Sequence, residues 1–186
     1  MKFSALILAG GRSQRMGRDK AMLDIDGQTL LTRQIQLVRE LGASEVFVSG
    51  RVGVDYAAFG CEVLFDLFPD AGPLAGVERG LARSTTPLLL VLAVDLPRMT
   101  KDYLQRLLLA CTENAGVVPE IDGRLEPLVA VYPRRAHALA MERLGSGDNG
   151  MQHFAMAIEE TGGLRRLPVT SVEEEQFFNW NTPESA

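Results

Sequence analysis

A loop near the amino terminus carries the residue types that bind phosphate. Residues 8–20 read LAGGRSQRMGRDK, so the adjacent Gly10 and Gly11 are followed by a run of cationic side chains. Glycines permit positive φ and let backbone N–H groups approach an anion closely. The cations, in a chain whose formal net charge is −5, are Arg12, Arg15, Arg18 and Lys20. This composition predicts a phosphate-binding loop; the structural alternative is a glycine turn followed by a solvated basic loop.

The loop matches neither of the standard glycine fingerprints. Arg12 stands where G-x-G-x-x-G needs its second glycine. The Walker pattern fails because Gly11 and Gly17 are one position too far apart and Arg18-Asp19 follow. A nicotinamide-dependent oxidoreductase is therefore disfavoured.

Two aspartates follow apolar runs that are typical of buried strands. Asp95 comes directly after LLLVLAV at 88–94, and Asp66 follows EVLF at 62–65. Because open α/β sheets bind ligands at the carboxyl ends of parallel strands, we expect Asp95 near the glycine loop. There it would either hold Mg²⁺ together with substrate phosphates or cap the following helix. Asp66 is a weaker candidate, since a turn aspartate explains it equally well.

A glycine–proline segment precedes the second predicted helix. Residues 72–76 read GPLAG, and proline is favoured in the first turn of a helix. Such a start would place a helix N-terminus against an anion or a flat base. A plain Gly-Pro helix start is the simpler interpretation and is favoured on physical grounds.

Strand-like and helical segments alternate along the first part of the chain. The strand-like runs lie at 3–8, 46–48, 62–65 and 88–94. The segments with helical periodicity lie at 29–41, 73–83 and 101–111, with Thr100 as a predicted N-cap. This alternation predicts an α/β sandwich with a mostly parallel sheet.

The second half of the chain departs from that alternation. Strand-like runs at 116–119 and 126–132 flank Asp122-Gly123, a hairpin-type turn signal, so we expect an antiparallel element here. The remaining predicted elements are helices at 134–144 and 151–160 and a strand at 164–169. No linker or repeat interrupts the pattern, and we expect a single domain over residues 1–186.

The composition limits the possible partners and the cellular compartment. The 186 residues are 46% hydrophobic and 23% charged, which is ordinary for a globular protein. A net acidic chain without a basic block is a poor binder of nucleic acid or of an anionic membrane surface. Two distant cysteines, Cys61 and Cys111, indicate packed thiols in a reducing cytoplasm.

Several motifs, in order, resemble the molybdenum cofactor guanylyltransferases of the MobA-like nucleotidyltransferase family. The resemblance spans essentially the whole chain, and the GPLAG segment points to the guanylyl-transferring branch. The motifs are Leu8-Ala9-Gly10-Gly11, Arg15-Met16-Gly17, Asp19-Lys20, Gly72-Pro73-Leu74-Ala75-Gly76, Asp95 with Pro97, Glu126-Pro127-Leu128, and Asn179-Trp180-Asn181-Thr182-Pro183-Glu184.

The resemblance implies a fold, a reaction and a set of site residues. The fold is a Rossmann-like three-layer sandwich, and the reaction transfers GMP from GTP to Mo-molybdopterin with release of pyrophosphate. Mg²⁺ is the implied cofactor, with Asp95 and Asn181 as its ligands. The implied nucleotide-binding residues are Leu8, Ala9, Gly10, Gly11, Lys20, Ser49, Asp66, Gly76 and Asp95. Ser49 departs from the pattern, because the family often has Asn at this place.

The catalytic roles follow from the chemistry of nucleotidyl transfer. The enzyme must position two polyanions and neutralise the leaving pyrophosphate, a task we assign to Arg15 and Lys20, while Asp95 anchors the metal. Molybdenum-insertion and molybdoenzyme chaperone proteins are candidate partners. The alternatives are cytidylyl transfer, nucleotidyl transfer to a sugar or alcohol phosphate, and a non-catalytic GTP-binding module that delivers cofactor.

Overall fold

The computed structural model describes residues 1–10, 20–25 and 27–179, and it contains one large mixed sheet. The sheet strands are β1 (Phe3–Leu8), β4 (Glu45–Ser49), β5 (Glu62–Leu64), β6 (Leu88–Ala93), β7 (Gly116–Ile121), β8 (Arg124–Leu125), β9 (Val129–Pro133) and β10 (Leu164–Pro168). The short strands β2 (Asp24–Ile25) and β3 (Gln28–Thr29) form a separate antiparallel pair. The order across the large sheet is β10-β7-β9-β6-β1-β4-β5, with β8 on β7.

Strand β1 is an interior strand of the sheet and pairs in parallel with β4 and β6. Its side chains alternate between two apolar clusters, because successive residues of a strand point to opposite faces. Ala5 and Ile7 belong to one cluster, and Leu6 belongs to the other; all three are fully buried. The sheet is therefore covered on both faces, which explains the continuous apolar runs in its strands.

Within the described ranges, five α-helices cover the two faces of the sheet. They are α1 (Leu30–Glu40), α2 (Pro73–Arg83), α3 (Lys101–Ala110), α4 (His137–Ser146) and α5 (Met151–Glu160). Helices α1 and α3 contribute to one apolar cluster, and α2, α4 and α5 contribute to the other. The predicted N-cap of α3 is confirmed, since the Thr100 side chain accepts a hydrogen bond from the backbone N–H of Tyr103. The predicted three-layer α/β sandwich with a mostly parallel sheet is likewise confirmed.

The antiparallel element is present, but its connection differs from the sequence expectation. Asp122 and Gly123 both have positive φ, and they join β7 to the two-residue β8. The predicted strand 126–132 is wrong in its first part, because the chain turns at Pro127 and only Val129–Pro133 joins the sheet. A proline has no N–H to donate to a ladder, and the turn is closed by a hydrogen bond from Val129 N–H to the Glu126 carbonyl. Strand β9 then inserts antiparallel between β6 and β7.

Within the described ranges, no helix has both the length and the apolar character needed to cross a membrane.

Candidate active site

A cleft of about 490 Å³ opens at the carboxyl edge of the parallel strands. Strands β1, β4, β5 and β6 all end here, and the turn before the antiparallel β9 closes one side. The lining residues are Leu8, Ala9, Gly10, Lys20, Ser49, Asp66, Asp70, Gly72, Pro73, Ala93, Val94, Asp95 and Leu128. The sheet therefore brings most of the predicted site residues of the described ranges into one cavity.

The end of β1 is held in place by both of its neighbours. The Ala9 N–H donates to the Ser49 carbonyl at 3.0 Å, and the Val94 N–H donates to the Leu8 carbonyl at 3.2 Å. Gly10 therefore continues the line of the strand, and its φ does not lie in the left-handed region. A Cβ on Gly10 would meet nothing closer than 3.7 Å. Neither strain nor crowding within the described residues requires glycine here, and its effect is to leave the backbone open to the cleft.

Lys20 and Asp95 face each other across the cleft. Lys20 begins a short 3₁₀ helix (Lys20–Met22), and Asp95 lies two residues beyond the end of β6. Their Nζ and Oδ2 atoms are 3.7 Å apart, and the side chains are 22% and 26% exposed. A partly exposed pair of this kind contributes at most about 1 kcal/mol to folding. Both residues line the cleft, so the pair presents a cation and a carboxylate to a ligand there.

The N-terminus of α2 forms another part of the cleft wall. Gly72 has a φ of 71° and is the N-cap, and Pro73 is the first helical residue, as the sequence predicts. Among the residues that the structure describes, no side chain caps this end. Uncapped N–H groups at the positive end of a helix favour an anion. Both interpretations of the glycine–proline segment are thus compatible with its position.

Asp66 carries a perturbed carboxyl group on the loop that follows β5. The residue is exposed as a whole, but its place against the cleft wall removes part of the hydration of the charged form, which raises its pKa. The negative charge of Glu78 raises the pKa further, and Arg79 opposes the shift. A nucleotide or cation bound beside the loop after β5 would contact a carboxyl group that is protonated more easily than that of an ordinary aspartate.

Gly76 lies behind the cleft and not in its lining. A Cβ on this residue would stand 2.5 Å from Ser49 Oγ and 3.1 Å from Leu8 Cδ2. The absence of a side chain therefore lets α2 pack directly on the ends of β1 and β4. Through this contact Gly76 sets the position of Ser49, which is 4% exposed at the base of the cleft.

Three predicted site residues lie outside the described residues, namely Gly11, Arg15 and Asn181. Six lining residues were not among the predicted site residues, namely Asp70, Gly72, Pro73, Ala93, Val94 and Leu128. Asp70 adopts a φ of 62°, a left-handed conformation that is uncommon for a non-glycine residue. The Pro69-Asp70 turn signal was visible in the sequence, but its place at the cleft depends on how the loop folds back.

Neither of the two histidines lines the cleft. His137, at the start of α4, contacts the buried Glu78 of α2 with 2.8 Å between Nε2 and Oε1. His153 is exposed and contacts Asp148 at 2.9 Å. The cleft therefore contains cationic, carboxylate and backbone groups but no imidazole among its described residues.

This arrangement is that of an α/β nucleotidyltransferase, a class whose chemistry requires charge neutralisation and positioning more than a general base. A family model described as the MobA-like NTP transferase domain matches residues 5–161, and the chain belongs to that family. It is accordingly an enzyme of the nucleotidyltransferase class. Enzymes of this kind are generally metal-dependent.

Curated and structurally solved relatives agree with the assignment. A probable molybdenum cofactor guanylyltransferase of Opitutus terrae is 39% identical over 181 residues, covering 96% of this chain and 90% of the relative. The crystal structure of molybdopterin-guanine dinucleotide biosynthesis protein A from Archaeoglobus fulgidus is similar with a TM-score of 0.72 and 23% identity, over 97% and 93% of the two chains. A 2-C-methyl-D-erythritol 4-phosphate cytidylyltransferase from Thermus thermophilus has a TM-score of 0.69 and 23% identity, over 100% and 95%. At these identities the solved structures bear on the fold alone.

Proposed function

We propose that this enzyme transfers GMP from GTP to the terminal phosphate of Mo-molybdopterin. A phosphate oxygen of the acceptor attacks the α-phosphorus of GTP, the bond to the β-phosphate bridging oxygen breaks, and pyrophosphate leaves. The products are molybdopterin guanine dinucleotide and pyrophosphate. The observation that carries the proposal is the Lys20–Asp95 pair, which lines the same cleft as Gly72 and Pro73 at the N-terminus of α2.

The backbone at the end of β1 and the lysine bind the triphosphate in this proposal. Gly10 presents an open backbone to the cleft, and Gly11 continues the same loop outside the described residues. Lys20 neutralises the leaving pyrophosphate together with Arg15. Such fixed positive charges at the position where negative charge develops are the main source of acceleration in phosphoryl transfer.

The remaining lining residues of the cleft would bind the nucleoside of GTP and the acceptor pterin. Leu8, Ala9 and Ser49 form its base, and Gly76 supports Ser49 from behind. Asp66 contacts the nucleotide from the loop after β5. The acceptor phosphate is already ionised near neutral pH, so no general base is required.

Mg²⁺ fits the donor set at Asp95. This ion prefers one or two carboxylates supplemented by substrate phosphates and water, and the described residues contain no cluster of three or more His, Cys, Asp or Glu side chains suited to a protein-only metal cage. The partly exposed Asp95 carboxylate would hold the ion, with Asn181 as a second ligand. When bound, Mg²⁺ supplies charge neutralisation to the phosphate oxygens.

The chain would act as one domain over residues 1–186 in the cytoplasm, where its two free cysteines remain reduced. Molybdenum-insertion proteins would supply the pterin, and molybdoenzyme chaperones would receive the product.

Pyrophosphate release tests the proposed function directly. The purified chain would be assayed with Mg²⁺, molybdopterin and each of GTP, CTP, ATP and UTP. Release is expected only with GTP and the pterin together, and Asp95→Asn should abolish it. Asp102→Asn is the matched control, because this aspartate is exposed on α3 and does not line the cleft. A preference for CTP would replace guanylyl by cytidylyl transfer, and GTP binding without release would indicate a binding module.

A further inference from the structure

The loop that carries Asp95 is bound near both of its ends by glutamine side chains from distant parts of the chain. It runs from the end of β6 to Thr100, the N-cap of α3. Gln34 of α1 donates from Nε2 to the Leu96 carbonyl at 2.8 Å. Gln176, near the carboxyl end of the described chain, accepts at Oε1 from the Thr100 hydroxyl at 2.7 Å and from the Thr100 N–H at 3.2 Å.

Gln34 is unusual because it is a fully buried amide on the apolar face of its helix. Its neighbours on that face are Leu30, Leu31, Ile35 and Val38. Burying an amide is costly unless hydrogen bonds compensate. Among the described residues its Oε1 has no hydrogen-bond partner. The compensation therefore comes from the bond to Leu96, the residue directly after Asp95.

Gln176 is itself held by a network of contacts on α3. The Phe177 ring packs edge-to-face on Tyr103 with 5.3 Å between centroids, and Glu173 forms an ion pair with Arg106. The next ring, Phe178, lies 4.8 Å from the guanidinium of Arg98, which belongs to the Asp95 loop. The segment 173–178 thus docks on the loop and on the start of α3.

We infer that Gln34 and Gln176 are positioning residues that set the location of the Asp95 carboxylate. Gln34 fixes the backbone immediately after Asp95, and Gln176 fixes the far end of the same loop. The inference rests on the proposed function only in the role it gives to Asp95. Displacement of a reacting group by about 1 Å can cost roughly 100-fold in rate, so such anchoring has catalytic consequences.

The test uses variants that differ only in the relevant polar atoms. Gln34→Met and Gln176→Met keep the side-chain length but remove the donor or the acceptor. Gln176→Glu keeps an acceptor oxygen and should restore the behaviour of the unchanged chain. Gln36→Met is the matched control, because Gln36 lies on the exposed face of the same helix and bonds to Glu40.

Two readouts separate this inference from the proposed function. Hydrogen exchange of the backbone amides of Leu96, Arg98, Met99 and Thr100 needs no substrate. It should become about fivefold faster or more in both variants, as expected for loss of one hydrogen bond in Gln34→Met and of two in Gln176→Met. The kcat of GTP- and pterin-dependent pyrophosphate release should fall about tenfold, with a raised Mg²⁺ concentration at half-maximal rate.

The possible results distinguish the anchoring of the loop, its effect on catalysis and the proposed function. The positioning role would be overturned if the hydrogen-exchange rates of the loop amides in Gln34→Met and Gln176→Met were equal to those in Gln36→Met. The stability of the loop would then not depend on either glutamine side chain. Faster exchange with unchanged kcat and unchanged Mg²⁺ requirement would overturn its catalytic relevance. An unchanged chain that releases no pyrophosphate with any nucleotide contradicts the proposed function instead, and faster exchange in the variants would still support the anchoring of the loop.

Discussion

Lys20 Nζ lies 3.7 Å from Asp95 Oδ2, although one residue follows the glycine loop and the other follows the central strand β6. The parallel pairing of β1 with β6 brings both chain segments to the same edge of the sheet. The pair places a cation and a carboxylate in the same 490 Å³ cleft. This is the arrangement that a transferring phosphate and its counter-ion require.

Replacing Lys20 should damage catalysis far more than folding. We expect Lys20→Ala to lower kcat for pyrophosphate release by about 100-fold or more, because under the proposed function this charge neutralises the leaving pyrophosphate. The free energy of unfolding should change by less than about 1 kcal/mol, since the ion pair is partly exposed. Urea unfolding and the pyrophosphate assay measure the two quantities. A rate loss matched by an equally large loss of stability would contradict the assigned role.

Adding a methyl group at position 76 should disturb the base of the cleft. A Cβ there would stand 2.5 Å from Ser49 Oγ, so we expect Gly76→Ala to destabilise the fold by about 1–3 kcal/mol through overpacking. Combining it with Ser49→Ala removes the closest clash and should recover part of that loss. A double-mutant cycle in urea unfolding measures the coupling. Strict additivity of the two changes would rule out this contact.

The pKa of Asp66 should respond to removal of a neighbouring charge. Desolvation raises this pKa above the ordinary value of 3.8, and the charge of Glu78 adds to the rise. Glu78→Gln should therefore lower the pKa of Asp66 without returning it fully to 3.8. NMR titration of the Asp66 side-chain carboxyl carbon measures the change. A pKa of Asp66 that does not move in this variant would exclude the coupling.

The same shift predicts the sign of a pH effect on stability. Because the native carboxyl of Asp66 binds its proton more tightly than the unfolded one, the native state holds more protons between the two pKa values. Stability is thus unaffected by this group below the ordinary pKa of 3.8 and falls as pH rises through the raised native pKa. Asp66→Asn should remove this decline. Unfolding of both proteins between pH 3 and 7, at a pH spacing of about half a unit, tests the prediction, and parallel pH profiles would refute it.

The contact between His137 and Glu78 should stabilise the packing of α4 on α2. Glu78 is 1% exposed, and its Oε1 is 2.8 Å from His137 Nε2. His137→Ala would leave a buried carboxyl group without this partner, at a cost of about 1–3 kcal/mol. The double variant Glu78→Met with His137→Leu should be more stable than His137→Ala alone, because neither polar group then remains. Thermal unfolding measures the stabilities of these variants. If the double variant is less stable than His137→Ala, the broken Glu78–His137 contact is not the source of the stability lost in His137→Ala.

Much of this molecule follows from local patterns in the chain. Continuous apolar runs predict buried parallel strands, and the residues after them, such as Gly10, Asp66 and Asp95, lie at the ligand-binding edge for that reason. Thr100 and the Gly72-Pro73 pair mark helix starts correctly, because capping depends on neighbouring residues alone. The ordered motifs along the chain resemble the MobA-like family, and the family match over residues 5–161 confirms that resemblance.

Contacts between residues far apart in the chain could not be obtained in this way. The Ser49–Gly76 contact, the Glu78–His137 pair and the anchoring of the Asp95 loop by Gln34 and Gln176 each join separate elements. Hydrophobic periodicity predicts which face of a helix or strand is buried, but it does not predict which residues that face contacts. Those partners depend on the order of the strands, the register of their pairing and the packing of helices on the sheet, and these are properties of the assembled core.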